Sequence, residues 1–230
     1  IVLAAIGGIR LFSSLGAPAA SAGASGSAAA AEPTAQPVVM GPLVIGAYAP
    51  RSFEPAFTFA VADTGWTANR DVPGLFSLIR EGAPRGGLVF ARVQEVVTSP
   101  CVGGDVAATA PIAGDTITLM QAVPHLQVSD VRPITVAGIA GQQAEITVSE
   151  AAQAACGGLA GGDIAILRAG DEDWSASPGE RFRVVGVRVA DQPVTILMSL
   201  DWTATHSVQE LEELLQLSQR VVDSVAFVEG

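Results

Sequence analysis

The chain has 230 residues, 49% of them hydrophobic and 15% charged, so it can bury a sizeable core, and global disorder is excluded. Its formal charge is −11, and all twelve basic residues are arginine. Without lysine there is no Walker A phosphate loop and no Schiff-base nucleophile, and an acidic chain with scattered arginines does not suit a nucleic-acid backbone.

The chain opens on an apolar run, Ile1 to Ile9, that is too short to span a bilayer alone and is followed at once by Arg10. Residues 1–12 are therefore read as the remnant of a signal peptide or of a transmembrane helix. Residues 13–42 are rich in Ala, Gly, Ser and Pro and are expected to form a disordered tether, with a root-mean-square span of about 30 Å. No lipobox cysteine occurs, so an amino-terminal lipid anchor is not expected. This order places one domain, residues 43–230, outside the cytoplasm, either secreted or anchored to the outer face of the cell membrane.

From Phe53 onward the pattern turns to strands. Phe57, Phe59 and Val61 alternate with Thr58 and Ala60, and Gly65-Trp66 turns the chain. Leu75 to Ile79 and Leu88 to Val93 continue an antiparallel meander, joined by a Gly/Pro/Arg turn over Gly82 to Gly87. Thr116 to Val123, stopped by Pro124, predicts a short helix. Val131 to Val136 and Gly138 to Gly141 predict a hairpin. Next, Ala144, Ile146 and Val148 face a core, with Gln143, Glu145, Thr147 and Ser149 on the other side. Phe182 to Val189 and Val194 to Trp202 are further strands, the latter with a core stripe of Val194, Ile196, Met198, Leu200 and Trp202. The last helix begins at a capping box, Ser207 with Glu210, and shows one apolar face of Leu211, Leu214, Leu215, Ser218, Val221 and Val222. A short strand, Val225 to Val228, returns to the sheet. Antiparallel strands with a few segregated helices make an α+β fold, the long last helix packed on the sheet.

Cys101 and Cys156 have neither CxxC spacing nor a nearby His pair, and a disulfide is the leading reading. Such a bridge would remove about 4 kcal/mol of unfolded-chain entropy and suits an oxidising compartment. The alternative is a pair of buried free thiols in a cytosolic protein, which thiol titration under denaturant separates from the bridge.

Taken together, Phe57-Thr58-Phe59-Ala60-Val61, Gly65-Trp66, Pro73-Gly74 and a closing helix followed by Ser224-Val225-Ala226-Phe227 form a recognisable set. So do His125-Leu126 after Pro124, and Val136-Ala137-Gly138-Ile139 leading to Gln142. Over about residues 43 to 230 the chain resembles the PsbP-like domains of exported actinobacterial and related proteins, including the LpqN-type lipoproteins, though it lacks their anchoring cysteine. The resemblance implies an antiparallel sheet flanked by helices and a domain that binds or scaffolds partners without an established catalytic centre. No catalytic residue transfers from it.

Candidate chemistry is sparse. His125 and His206 are the two histidines, neither in a recognised motif, and Gly-x-Ser-x-Gly is absent, so structural roles are favoured over catalysis. Asp171, Glu172 and Asp173 form the densest acidic cluster but lack the EF-hand pattern, so a solvated loop is favoured over a Ca²⁺ site, and no metal is expected. Trp66 and Trp202 are expected to pack. Trp174 sits among those acids in what reads as an exposed loop: it either marks a binding surface with them or covers the sheet from that loop. The leading expectation is a non-enzymatic binding or scaffolding domain without cofactor, attached to the membrane through its amino-terminal segment only. Its partner would be a protein or an envelope component, not nucleic acid. Two other classes stay open: a cell-envelope hydrolase using His125 or His206 with a nearby acid, and the extracellular sensor domain of a larger single-pass membrane protein.

Overall fold

Alternating and continuous apolar runs dominate the chain, and the computed structural model turns them into sixteen strands and two helices among the residues it describes: 34–97, 109–112, 115–152, 164–169, 172–200 and 207–228. In chain order the strands up to the first helix are β1 (Gln36–Pro37), β2 (Gly41–Pro42), β3 (Gly46–Ala49), β4 (Phe57–Val61), β5 (Trp66–Val72), β6 (Leu75–Arg80), β7 (Gly86–Ala91), β8 (Glu95–Val97) and β9 (Thr109–Pro111). Helix α1 (Thr116–Met120) follows, then β10 (Leu126–Val136), β11 (Ile139–Val148), β12 (Ile164–Ala169), β13 (Glu172–Ala176), β14 (Arg181–Val189) and β15 (Gln192–Leu200). Helix α2 (Val208–Asp223) and β16 (Ala226–Phe227) close the series. Residues Pro33–Gly230 cluster as one compact unit.

Eight strands build a fully antiparallel sheet in the order β10-β11-β14-β15-β7-β6-β5-β2. Its centre is apolar on both faces because both are covered. On one side lie α2 and a small sheet, β1-β3-β4-β16, which seats Phe57 against Phe76 and Phe90 with ring centroids 5.8 and 4.8 Å apart. On the other side lie α1 and a second small sheet, β13-β12-β8-β9, over Ile146, Phe182, Val184 and Leu197. The expected sheet and last helix are present, but strands do more of the covering than helices do.

Helix α2 starts as its sequence predicts. Ser207 Oγ accepts from the Glu210 N–H at 3.2 Å, the Glu210 carboxylate accepts from the Ser207 N–H at 2.7 Å, and all six residues of the apolar face are buried. The helix lies so close to β7 that a Cβ on Gly86 would collide with Leu214 Cδ2 and the Ser199 carbonyl. Strand β7 begins inside the stretch predicted as a turn, because Gly86 and Gly87 already pair with β6 and β15.

Several boundaries differ from expectation. Helix α1 stops at Met120, three residues before Val123, and the chain goes on in tighter turns in which Ala122 and Val123 donate to the Leu119 and Met120 carbonyls at 3.0 and 3.1 Å. The hairpin is longer than predicted, and its turn residues Ala137 and Gly138 have φ of +51° and +77°, the primed geometry that matches strand twist. Gln143 is buried instead of facing solvent; with its amide oriented by the hydrogen-bond network, its oxygen accepts from Arg132 Nε and Nη2 at 2.7 and 2.6 Å. The folded body includes residues that were expected to belong to the tether. Val38 is buried and donates its N–H to the Ala49 carbonyl, while Leu43 donates to Trp66, so β1 and β2 belong to the folded body. Pro37 and Pro42, which cannot donate to a ladder, disguise these strands in the sequence.

Candidate functional site

Among the described residues the second face of the large sheet is partly covered, and Trp174 lines cavities there. Strand β13 pairs with β12 so that Trp174 lies opposite Leu167, and its ring meets Phe182 edge to face with centroids 4.6 Å apart. The expectation of an exposed loop is thus corrected: Trp174 is a half-buried strand residue, held by ladder register where local composition suggested a turn. Asp173 and Glu172 continue β13 opposite Arg168 and Ala169, and Asp171 lies outside the described residues.

Two cavities meet at Trp174 and share Val89 and Leu197 as walls. One, of about 180 Å³, runs beneath β12 over Leu75, Ala91 and Val93 and opens past Asn69 and Arg70. The other, of about 270 Å³, lies over Gly87, Ser199 and Leu200 and reaches Glu180.

Glu180 is the chemically distinctive group here, a carboxylate in a residue only 6% exposed. A turn over Ser177 to Gly179 delivers it. Its Oε2 accepts from the Ser177 N–H at 2.9 Å, and its Oε1 accepts from Ser199 Oγ at 2.7 Å, bonds that offset the cost of burying a polar group. Neither Glu180 nor Ser199 was singled out from sequence. The signal available was a pair of small polar residues, Thr195 and Ser199, on the second face of a mainly apolar strand, with Ser199 facing Phe182 across the β14–β15 ladder.

A larger cleft, of about 590 Å³, lies elsewhere on the same sheet between Asp115, Gln142, Gly186, Arg188, Asp191 and Pro193. Its polar groups serve the fold. Asp115 accepts from the Ile117 N–H at 3.3 Å and from Thr118 Oγ1 at 3.2 Å to cap α1, and Arg188 Nη1 donates to the Asp191 carbonyl at 2.8 Å. On the opposite face of the sheet, Glu145 accepts from Arg183 Nη2 at 2.8 Å and Arg181 Nη2 at 3.3 Å. Partial burial works against its ionisation, but the two guanidinium groups outweigh that effect and hold its carboxyl below the ordinary value.

His125 occupies the junction between α1 and β10 with φ +67°, and its carbonyl accepts from the Ser149 N–H at 2.8 Å. No hydrogen bond or ion pair to its imidazole is formed among the described residues. His206, Trp202, Cys101 and Cys156 lie outside the described residues. Among the described residues no group of three or more His, Cys, Asp or Glu could hold a metal ion, and no helix is long and apolar enough to cross a membrane. No protein-family model matches this chain, and no curated protein matches it.

Proposed function

We propose that this chain is a non-enzymatic extracytoplasmic binding domain, held near a membrane through residues 1–12 and the stretch that follows, and that its ligand enters the groove at Trp174. The sheet with a closing helix is compatible with a PsbP-like domain, the finer reading that the sequence resemblance supports. One observation carries the ligand reading: a mainly apolar slot of about 180 Å³, with Ser77 among its walls and a half-buried tryptophan lining it. An apolar cavity of about 150 Å³ accepts a benzene ring, so the slot suits a small aromatic or branched aliphatic group. The rest of such a ligand would extend past Asn69 and Arg70, or past Trp174 toward Glu180. The Glu180 carboxylate adds polarity at one end, which favours an amphipathic molecule over a pure hydrocarbon.

Titration of the chain with the fluorescent probe N-phenyl-1-naphthylamine tests this. Saturable one-site binding is expected, weakened at least about tenfold by Ala169→Phe, which fills the slot from the half-exposed side of β12 with little cost to the core. Unsaturable binding, or equal affinity in that variant, overturns the reading.

A further inference from the structure

Residues 1–50 contain only two charged side chains, Arg10 and Glu32, although the whole chain holds 12 arginines and 23 acids. Inside this uncharged stretch Val39, Met40, Val44 and Ile45 are 67%, 48%, 71% and 63% exposed. These are four of the seven large apolar side chains that stand exposed among the described residues, and they fall within seven consecutive positions. Single exposed aliphatics need no explanation, but a cluster of them does.

The exposure is built into the backbone. Val38 and Leu43, each just ahead of an exposed pair, are buried and donate to the Ala49 and Trp66 carbonyls at 2.8 Å each, and the Val44 carbonyl accepts from Tyr48 Oη at 2.7 Å. Pinned at three points, the segment cannot turn its apolar tips inward. They are presented outward at the edge of the large sheet where β2 ends it.

We infer that Val39, Met40, Val44 and Ile45 seat the domain on a lipid surface, entering the interface between headgroups and acyl chains. This rests on the reading that residues 1–12 hold the chain at a membrane. Two observations favour lipid as the occupant. The patch begins only a few residues after the chain outside the described structure, the stretch that carries the apolar run Ile1 to Ile9, so a chain anchored through that run has the patch within reach of the bilayer. Charge is also uneven along the sequence: apart from Arg10 and Glu32 every charged residue lies after residue 50, with acids in two-fold excess there, so that part of the chain is repelled by anionic headgroups while the four patch side chains are not. The surface it suits is zwitterionic. Four side chains make a weak contact alone, but a tether raises the effective concentration at the membrane enough to fill it.

The test uses the full chain with phosphatidylcholine vesicles containing a diazirine-labelled phosphatidylcholine, scored by sedimentation and by mapping of labelled peptides. Label is expected across residues 39–45. Val44→Asp combined with Ile45→Asp, both at exposed positions, should cut that label about tenfold while the chain still sediments through its amino-terminal segment. Replacing half of the lipid by phosphatidylglycerol should lower the label, and salt should restore it. Sedimentation without label at residues 39–45 overturns the seat and leaves the tether standing, whereas a chain that stays in the supernatant overturns the tether and the seat with it. A dimer that forms without vesicles and is abolished by the double variant makes a second copy the occupant, and overturns the lipid reading.

Discussion

Replacing Trp174 separates the two roles its position allows, cover and ligand wall. Truncating a fully buried tryptophan to alanine costs about 3–5 kcal/mol. Trp174 is half-buried, and its contact with Phe182 is edge to face, a geometry in which such a pair contributes about 1 kcal/mol beyond area. Trp174→Ala is therefore expected to lower stability by about 2 kcal/mol in urea unfolding followed by far-ultraviolet circular dichroism, and Trp174→Phe by about half of that. The ligand effect is a separate quantity. A ring edge offering about 50 Å² of apolar contact is worth about 1.3 kcal/mol, so the Kd for N-phenyl-1-naphthylamine should rise about tenfold in Trp174→Ala. A variant that loses the expected stability but binds the probe with unchanged affinity refutes the argument, because Trp174 would then be a lid on Phe182 and no part of the ligand site.

The ion pairs on the opposite face predict a pH dependence. Glu145 titrates below its ordinary value in the folded chain, so its stabilisation is fully present above the unfolded pKa of about 4.3 and is lost as pH falls through the folded value. Glu145→Gln should lower stability by about 1 kcal/mol at pH 7, and its urea midpoint should converge with that of the parent chain in acid. At the β10–β11 turn, Ala137 adopts φ +51° without the side chain that tolerates it. Ala137→Asn should stabilise by about 0.5–1 kcal/mol, seen as a rise of about 2 °C in Tm; a fall in Tm contradicts the primed-turn assignment.

What could be read from sequence, and what could not, follows one physical division. Elements with one buried and one solvated face were legible: the capping box and apolar stripe of α2, and the alternation of Ala144, Ile146 and Val148, translate directly into burial. Elements covered on both faces lose that periodicity. In β15 the predicted stripe of Val194, Ile196, Met198 and Leu200 is buried, but so are Thr195 and Leu197 between them, which made the second layer invisible. That layer holds the groove. Strands β8, β9 and β13 span five residues or fewer, and Ile164–Ala169 reads as a plain apolar run, so their pairing depends on contacts distant in sequence. Trp174 stood out in the sequence as an aromatic among acids, but its setting was misread, because Gly, Ser and acidic neighbours imitate a loop when the register partner is unseen. Glu180 was one acid among 23 until the β14–β15 ladder set it beside Ser199.

Strand β16 pairs with β4, and Ser224 Oγ accepts from the Ala60 N–H at 2.8 Å across 164 positions of chain. During synthesis the aromatic cluster around Phe57, Phe59 and Phe76 is complete long before residues 208–227 arrive to cover it. Folding of that half must therefore wait for nearly the whole chain and pass through long-range pairing, the regime of high contact order and slow rates. A nascent chain in this state remains extended and accessible to chaperones, and one truncated before residue 208 exposes an aromatic face with nothing to close it, a direct route to aggregation.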